Sequence, residues 1–169
     1  REAEDFNEEV VKLHLKAEKP AELACGCPSA TVTQFARQEA TETVPGAAVP
    51  QSSMLTQWPI QLTLVPPIAP FLRGTDLVLA ADCVPFAYTG FHQEFLKNHS
   101  LLIACPKLDD YQAHLKKLTA ILSLAQPKSL TVVHMEVPCC FGLVHMARQA
   151  ILASGKDITF KEVTVGVRG

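Results

Sequence analysis

Asp76-Leu-Val-Leu-Ala-Ala-Asp82-Cys83-Val84-Pro85 decides the fold. Its first six residues form a near-continuous apolar run that ends in Ala81, as expected of a strand covered on both faces. The chain then turns at once through an acid, a cysteine and a proline. Two further stretches repeat the plan. Ser100-Leu-Leu-Ile-Ala104 runs into Cys105-Pro106-Lys107, and Leu130-Thr-Val-Val-His-Met135 runs into Glu136-Val-Pro138-Cys139-Cys140. Between the last two, residues 109–124 place Tyr111, His114, Leu115, Leu118, Ile121 and Leu122 at helical spacing, which makes this stretch a crossover helix.

Working outward, Gln61 to Val65 reads as a short strand before Pro66-Pro67, and Phe91 to Asn98 as a short helix. Gly142 to Ser154 reads as a helix capped by Gly155, and Asp157 to Val167 as the last strand. Alternating apolar strands and helices predict an α/β fold, an open, mostly parallel Rossmann-like sheet with helices on both faces. Residues 52–169 form this domain. Residues 1–51 hold a charged helix (Glu2 to Lys19), the turn Cys25-Gly26-Cys27-Pro28 and a Thr-, Ala- and Pro-rich linker arm. The opening Arg1-Glu2-Ala3-Glu4, without methionine, reads as the remainder of something longer or as tag processing.

Composition narrows the function classes. Apolar residues make up 48% of the 169 and charged residues 19%, an ordinary globular interior. A net charge of −2 gives no reason to expect a nucleic-acid or anionic-membrane partner. No apolar run reaches the roughly 18 residues of a membrane span. Six cysteines without a secretory leader point to a reduced, cytoplasmic setting. Their uses there are core packing, metal ligation or thiol redox chemistry.

Position separates these uses. In a parallel sheet all carboxyl ends share one edge, and open α/β sheets bind ligands there. Cys83, Cys105, Cys139 and Cys140 all follow strands, each beside a proline that fixes the turn. Soft thiolates select iron–sulfur clusters, zinc or cuprous copper. Cys139 and Cys140 open a helix, where amide groups and the dipole favour a thiolate. Adjacent strand residues face opposite ways, so both serve one site only if the turn after Pro138 reorients one. Cys25 and Cys27 can close such a site from the arm. Asp82, Lys107 and Glu136 share the edge as second-rank candidates, for hydrogen bonds or charge pairing, Lys107 equally with Asp109. His134 and His145 read as core or helix-face residues. The bland alternative is that each cysteine is simply a small buried hydrophobe.

Glycine-rich phosphate loops (GxGxxG, GxxxxGK[ST]), the GxSxG elbow and HExxH are missing from the chain, and so is the bacterial ferredoxin cysteine run. Nucleotide binding and serine hydrolysis have no motif behind them.

Cys25-Gly-Cys-Pro-Ser29, Gln57-Trp-Pro-Ile-Gln-Leu62, Asp76 to Val84, Ile103-Ala-Cys-Pro-Lys-Leu-Asp109 and Met135-Glu-Val-Pro-Cys-Cys140 together resemble the C-terminal region of ferredoxin-type iron–sulfur proteins of anaerobic bacteria and archaea. In that group a two-cluster [4Fe–4S] ferredoxin domain comes first, and this chain departs from the pattern by lacking it. The resemblance implies electron transfer, a [4Fe–4S] cluster with zinc as alternative occupant, and an N-terminal ferredoxin domain or another redox protein as partner. It points to the same six cysteines. Two rival expectations stand beside it: a thiol-redox oxidoreductase with Cys139 or Cys140 as a low-pKa nucleophile resolved by Cys105, and a metal-free docking domain. Oligomerisation is left open.

Overall fold

The computed structural model describes residues 32–35 and 52–169. The charged helix over residues 2–19, the Cys25-Gly-Cys27 turn and most of the arm lie outside the described residues.

Four parallel strands form the central sheet: β3 (Asp76–Ala81), β4 (Ser100–Ala104), β5 (Ser129–Met135) and β6 (Thr159–Val165). They follow two short strands, β1 (Thr33–Gln34) and β2 (Gln57–Trp58), which pair antiparallel. The spatial order is β4-β3-β5-β6. β3 is therefore an interior strand, and Leu77, Val78, Leu79 and Ala80 have no exposed surface. β6 is an edge strand. Most of its residues are exposed or half-buried; Glu162 turns to Arg148 of the last helix, Oε2 accepting from Nη2 at 2.9 Å, and the exposed Lys161 guards the edge against further pairing.

Three helices connect the strands: α1 (Val84–Ala87), α2 (Tyr111–Ala125) and α3 (Phe141–Ser154). Asp110 caps α2, its Oδ1 accepting from Ala113 N at 3.0 Å. His114, Leu118, Ile121, Leu122 and Ala125 form the buried stripe, and Gln126 ends the helix in the left-handed region before Pro127. Gly155, at φ 63°, ends α3 as its spacing predicts. α2 and α3 pack together on one face, as right-handed crossovers β4→β5 and β5→β6 require. The oppositely directed β3→β4 connection, with α1 and a π-helical turn at His92–Leu96, covers the other. The α/β architecture expected from the sequence is the one observed.

Local details differ. Gln61 to Val65 is not a strand. One bridge joins Gln61 to Ile103, and the chain then coils so that Val65 N donates to Gln61 O at 3.1 Å. The turn buries Leu62 and Val65 together, whereas strand alternation would send residues three apart to opposite sides. Pro66 and Pro67 lack the N–H groups a ladder needs. No helix among the described residues is long and apolar enough to cross a membrane.

Leu79 sits at the centre of β3 with no exposed surface. Leu79→Ala is expected to cost roughly 2–5 kcal/mol of unfolding free energy, read from the midpoint of a denaturant transition.

Candidate functional site

The strand order makes the site. From β3 the chain leaves toward β4, and from β5 it leaves toward β6, on the other side. The loops after β3 and β5 diverge and open a crevice at the carboxyl ends of the strands, the usual ligand position in such sheets. Asp82-Cys83 lines one side of it, and Cys139-Cys140 the other.

Cys83 is exposed at the start of α1, and Cys139 is exposed, Cys105 half-buried and Cys140 buried, all four free of disulfide bonds. The vicinal pair lies not on the strand but in a tight turn, Pro138–Cys140, in which Cys140 N donates to Val137 O at 3.0 Å. The turn takes the pair out of the strand alternation that would send adjacent side chains to opposite faces. Burial pushes the Cys140 thiol up from its ordinary range, and a hydrogen bond from the Met135 backbone opposes this. The charges of Cys139 and of Cys83 raise it further. For Cys140 these effects outweigh the helix-start advantage expected from position.

Cys105 joins the edge by another route. Its N–H donates to Asp109 Oδ2 at 2.7 Å, closing the turn after β4. The next residue, Pro106, rests against the first turn of α3, where a Cβ at Gly142 would stand 3.1 Å from Pro106 Cβ. The loops after β4 and β5 are thus in contact above β3. Among the described residues, no three His, Cys, Asp or Glu side chains are gathered tightly enough, as they stand, to hold one metal ion.

The acidic candidates part company. Asp82 is half-buried, and its Oδ1 is buried without a hydrogen-bond partner among the described residues. Burial and the neighbouring Asp109 carboxylate hold its carboxyl above the usual range, while His114 pulls it down. Glu136 turns away from the cysteines, and its Oε1 accepts from Val167 N at 2.9 Å beyond β6. Lys107 is exposed, and the partner expected for it, Asp109, goes to His114 instead, Nδ1 to Oδ2 at 3.5 Å. His114 then reaches Thr63 Oγ1 at 2.7 Å through Nε2. This Asp109–His114–Thr63 chain was not anticipated. The only signal was an acid before the Asp110 cap and a histidine one turn into the helix. His134 is the satisfied core histidine expected: fully buried, with Nδ1 2.9 Å from Met135 O and Nε2 3.1 Å from Thr164 Oγ1.

An apolar fringe surrounds the edge. Phe86, three residues after Cys83, is 92% exposed, Leu108, three after Cys105, is 83% exposed, and Phe141, directly after Cys140, is 53% exposed.

The family model for a Rossmann-like domain matches residues 69–169. An uncharacterized protein of Archaeoglobus fulgidus is 35% identical over 113 residues, spanning 67% of this chain and 79% of the relative. The chain belongs to the Rossmann-like domain family. No solved structure matches it significantly. Within this Rossmann-like domain the first βα turn, where dinucleotide-binding members carry glycines against a pyrophosphate, reads Ala81-Asp82-Cys83-Val84-Pro85. A carboxylate there repels a phosphate, and a thiol cannot donate as a row of backbone amides does.

Two outcomes are expected. In alkylation of the native chain mapped by peptide mass, Cys83 and Cys139 should be modified well before Cys140, whose buried thiol should react at a comparable rate only after unfolding. Asp82, with its proton affinity raised by folding, destabilises the fold increasingly as pH rises above the ordinary carboxylate value. Asp82→Asn should therefore be the more stable form at neutral pH, with the advantage shrinking toward pH 3, as read from denaturant midpoints across that range.

Proposed function

We propose that the crevice binds a thiophilic metal centre used in electron transfer, with an iron–sulfur cluster as occupant and zinc as the alternative. The observation that carries this reading is that Cys83, Cys139 and Cys140 all stand in the turns at the carboxyl ends of two neighbouring parallel strands. Thiolates of this softness select iron–sulfur clusters, zinc and cuprous copper over harder ions. Cys140 is fixed by its turn, whereas Cys83 and Cys139 are exposed and can change rotamer to converge on an ion. When bound, the centre would supply one-electron chemistry or, as zinc, a structural tie between the loops. Cys105 stands one strand away as a further donor.

Cys25 and Cys27, the donors the sequence offers from the arm, lie outside the described residues. β2 leads into Ile60–Leu62, which bonds in parallel to Ile103 of β4 and so climbs toward the carboxyl edge. β1 runs against β2.

The resemblance to ferredoxin-type proteins supports a [4Fe–4S] cluster, a cytoplasmic setting and a redox protein as partner. The apolar fringe of Phe86, Leu108 and Phe141 supports such a partner too, because close protein contact shortens the path to a buried centre. The raised thiol of Cys140 weighs against its acting as a low-pKa nucleophile.

Anaerobically prepared protein should carry visible absorbance, with iron and sulfide, or zinc, countable per chain. Cys83→Ser and Cys140→Ser should each lose most of the bound metal. If the anaerobic protein is metal-free and takes up neither iron with sulfide nor zinc on reconstitution, the reading fails.

A further inference from the structure

At the end of the sheet opposite the cysteines lies a cavity of about 410 Å³, within the roughly 300–1,000 Å³ usual for small-molecule sites. Its floor is the amino edge, with Thr75 just before β3 and Ser100 opening β4. Its wall is the two-stranded sheet, which contributes Gln34 and Phe35 together with Thr56. Phe35 N donates to Thr56 O at 2.8 Å, and the buried Gln57 donates through Nε2 to Leu101 O at 2.7 Å. The first bond ties the wall together and the second anchors it to β4.

The lining has a definite electrical character. Among the described residues it includes Arg73 and His99 and no carboxylate. Arg73 is exposed, and none of the ion pairs among the described residues involves it. His99 bonds through Nδ1 to Lys97 O at 2.8 Å, which leaves Nε2 as its free nitrogen. The hydroxyls of Ser100 and Thr75 are already committed to Phe71 O and Leu72 O, at 2.5 and 3.3 Å. Asn98 sits on the rim at φ 66°, a left-handed conformation that asparagine tolerates better than most residues. Phe35 and Phe71 give the cavity apolar surface. An unpaired guanidinium matches the paired oxygens of a carboxylate or phosphate, and an imidazolium, donating through Nε2–H, adds a second contact.

We propose that this cavity binds a small organic oxyanion, its phosphate or carboxylate group on Arg73 and His99 and its apolar body against Phe35 and Phe71. The site shares no residue with the thiol edge and stands whether or not a metal is bound there. It also gives the two-stranded sheet a purpose, since without that wall the amino edge would be open on this side.

The test is a titration of the full chain with phenyl phosphate, benzoate and neutral benzamide, followed through ¹H–¹⁵N amide shifts. Saturable shifts at Phe35, Thr75 and residues 98–100 are expected with at least one anion and not with benzamide, and the tighter anion identifies the headgroup. Arg73→Gln should weaken binding by about tenfold or more, and His99→Gln by less, with the rest of the spectrum unchanged. Absence of saturation by both anions at millimolar concentration, equal binding of benzamide, or affinities unaltered in both variants would each overturn the proposal.

Discussion

Strand β3 is hydrogen-bonded to a parallel neighbour on each side, and the site follows from that one constraint. An interior parallel strand must be apolar on both faces, which Leu77 to Ala80 satisfy. Its two neighbours must be reached by crossovers that leave in opposite directions, because β4 lies on one side and β5 on the other. The crevice between the departing loops is thus a consequence of strand order. The side chains placed there are Asp82, Cys83, Cys139 and Cys140. The fold fixes where ligand chemistry takes place, and the first turn after each strand decides which chemistry that is.

Much of this was legible in the sequence because the relevant signals are local. The bounds of β3 and β4 coincide with their apolar runs, since a strand buried on both faces has no other composition available. α3 ends at Gly155 for a conformational reason that one residue carries by itself. The turn at Pro138 was likewise inferable as a need, because adjacent cysteines cannot share a site while on a strand.

What escaped depends on partners distant in sequence. Gln61 to Val65 has strand composition, but burying Leu62 with Val65 against the core and beside the prolines favours a coil. Glu136 follows a core strand as Asp82 does, yet it is captured by Val167 N, a group 31 residues away. Asp109 lies next to Lys107 in the chain but is drawn to His114, which α2 buries beside it. In the last two cases a charged group chose between neighbours, and in all three packing decided the outcome. Periodicity says nothing about such decisions.

The contact of Pro106 with Gly142 links two of the cysteine loops mechanically. Glycine leaves room for the proline, and a larger residue would have to displace a turn that Asp109 already clasps through Cys105 N. A shift of the first turn of α3 therefore presses on the Cys105 loop, and a shift of that loop presses back. The vicinal pair and Cys105 move as interlocked parts rather than as independent fingers, so any rearrangement of one carries into the other.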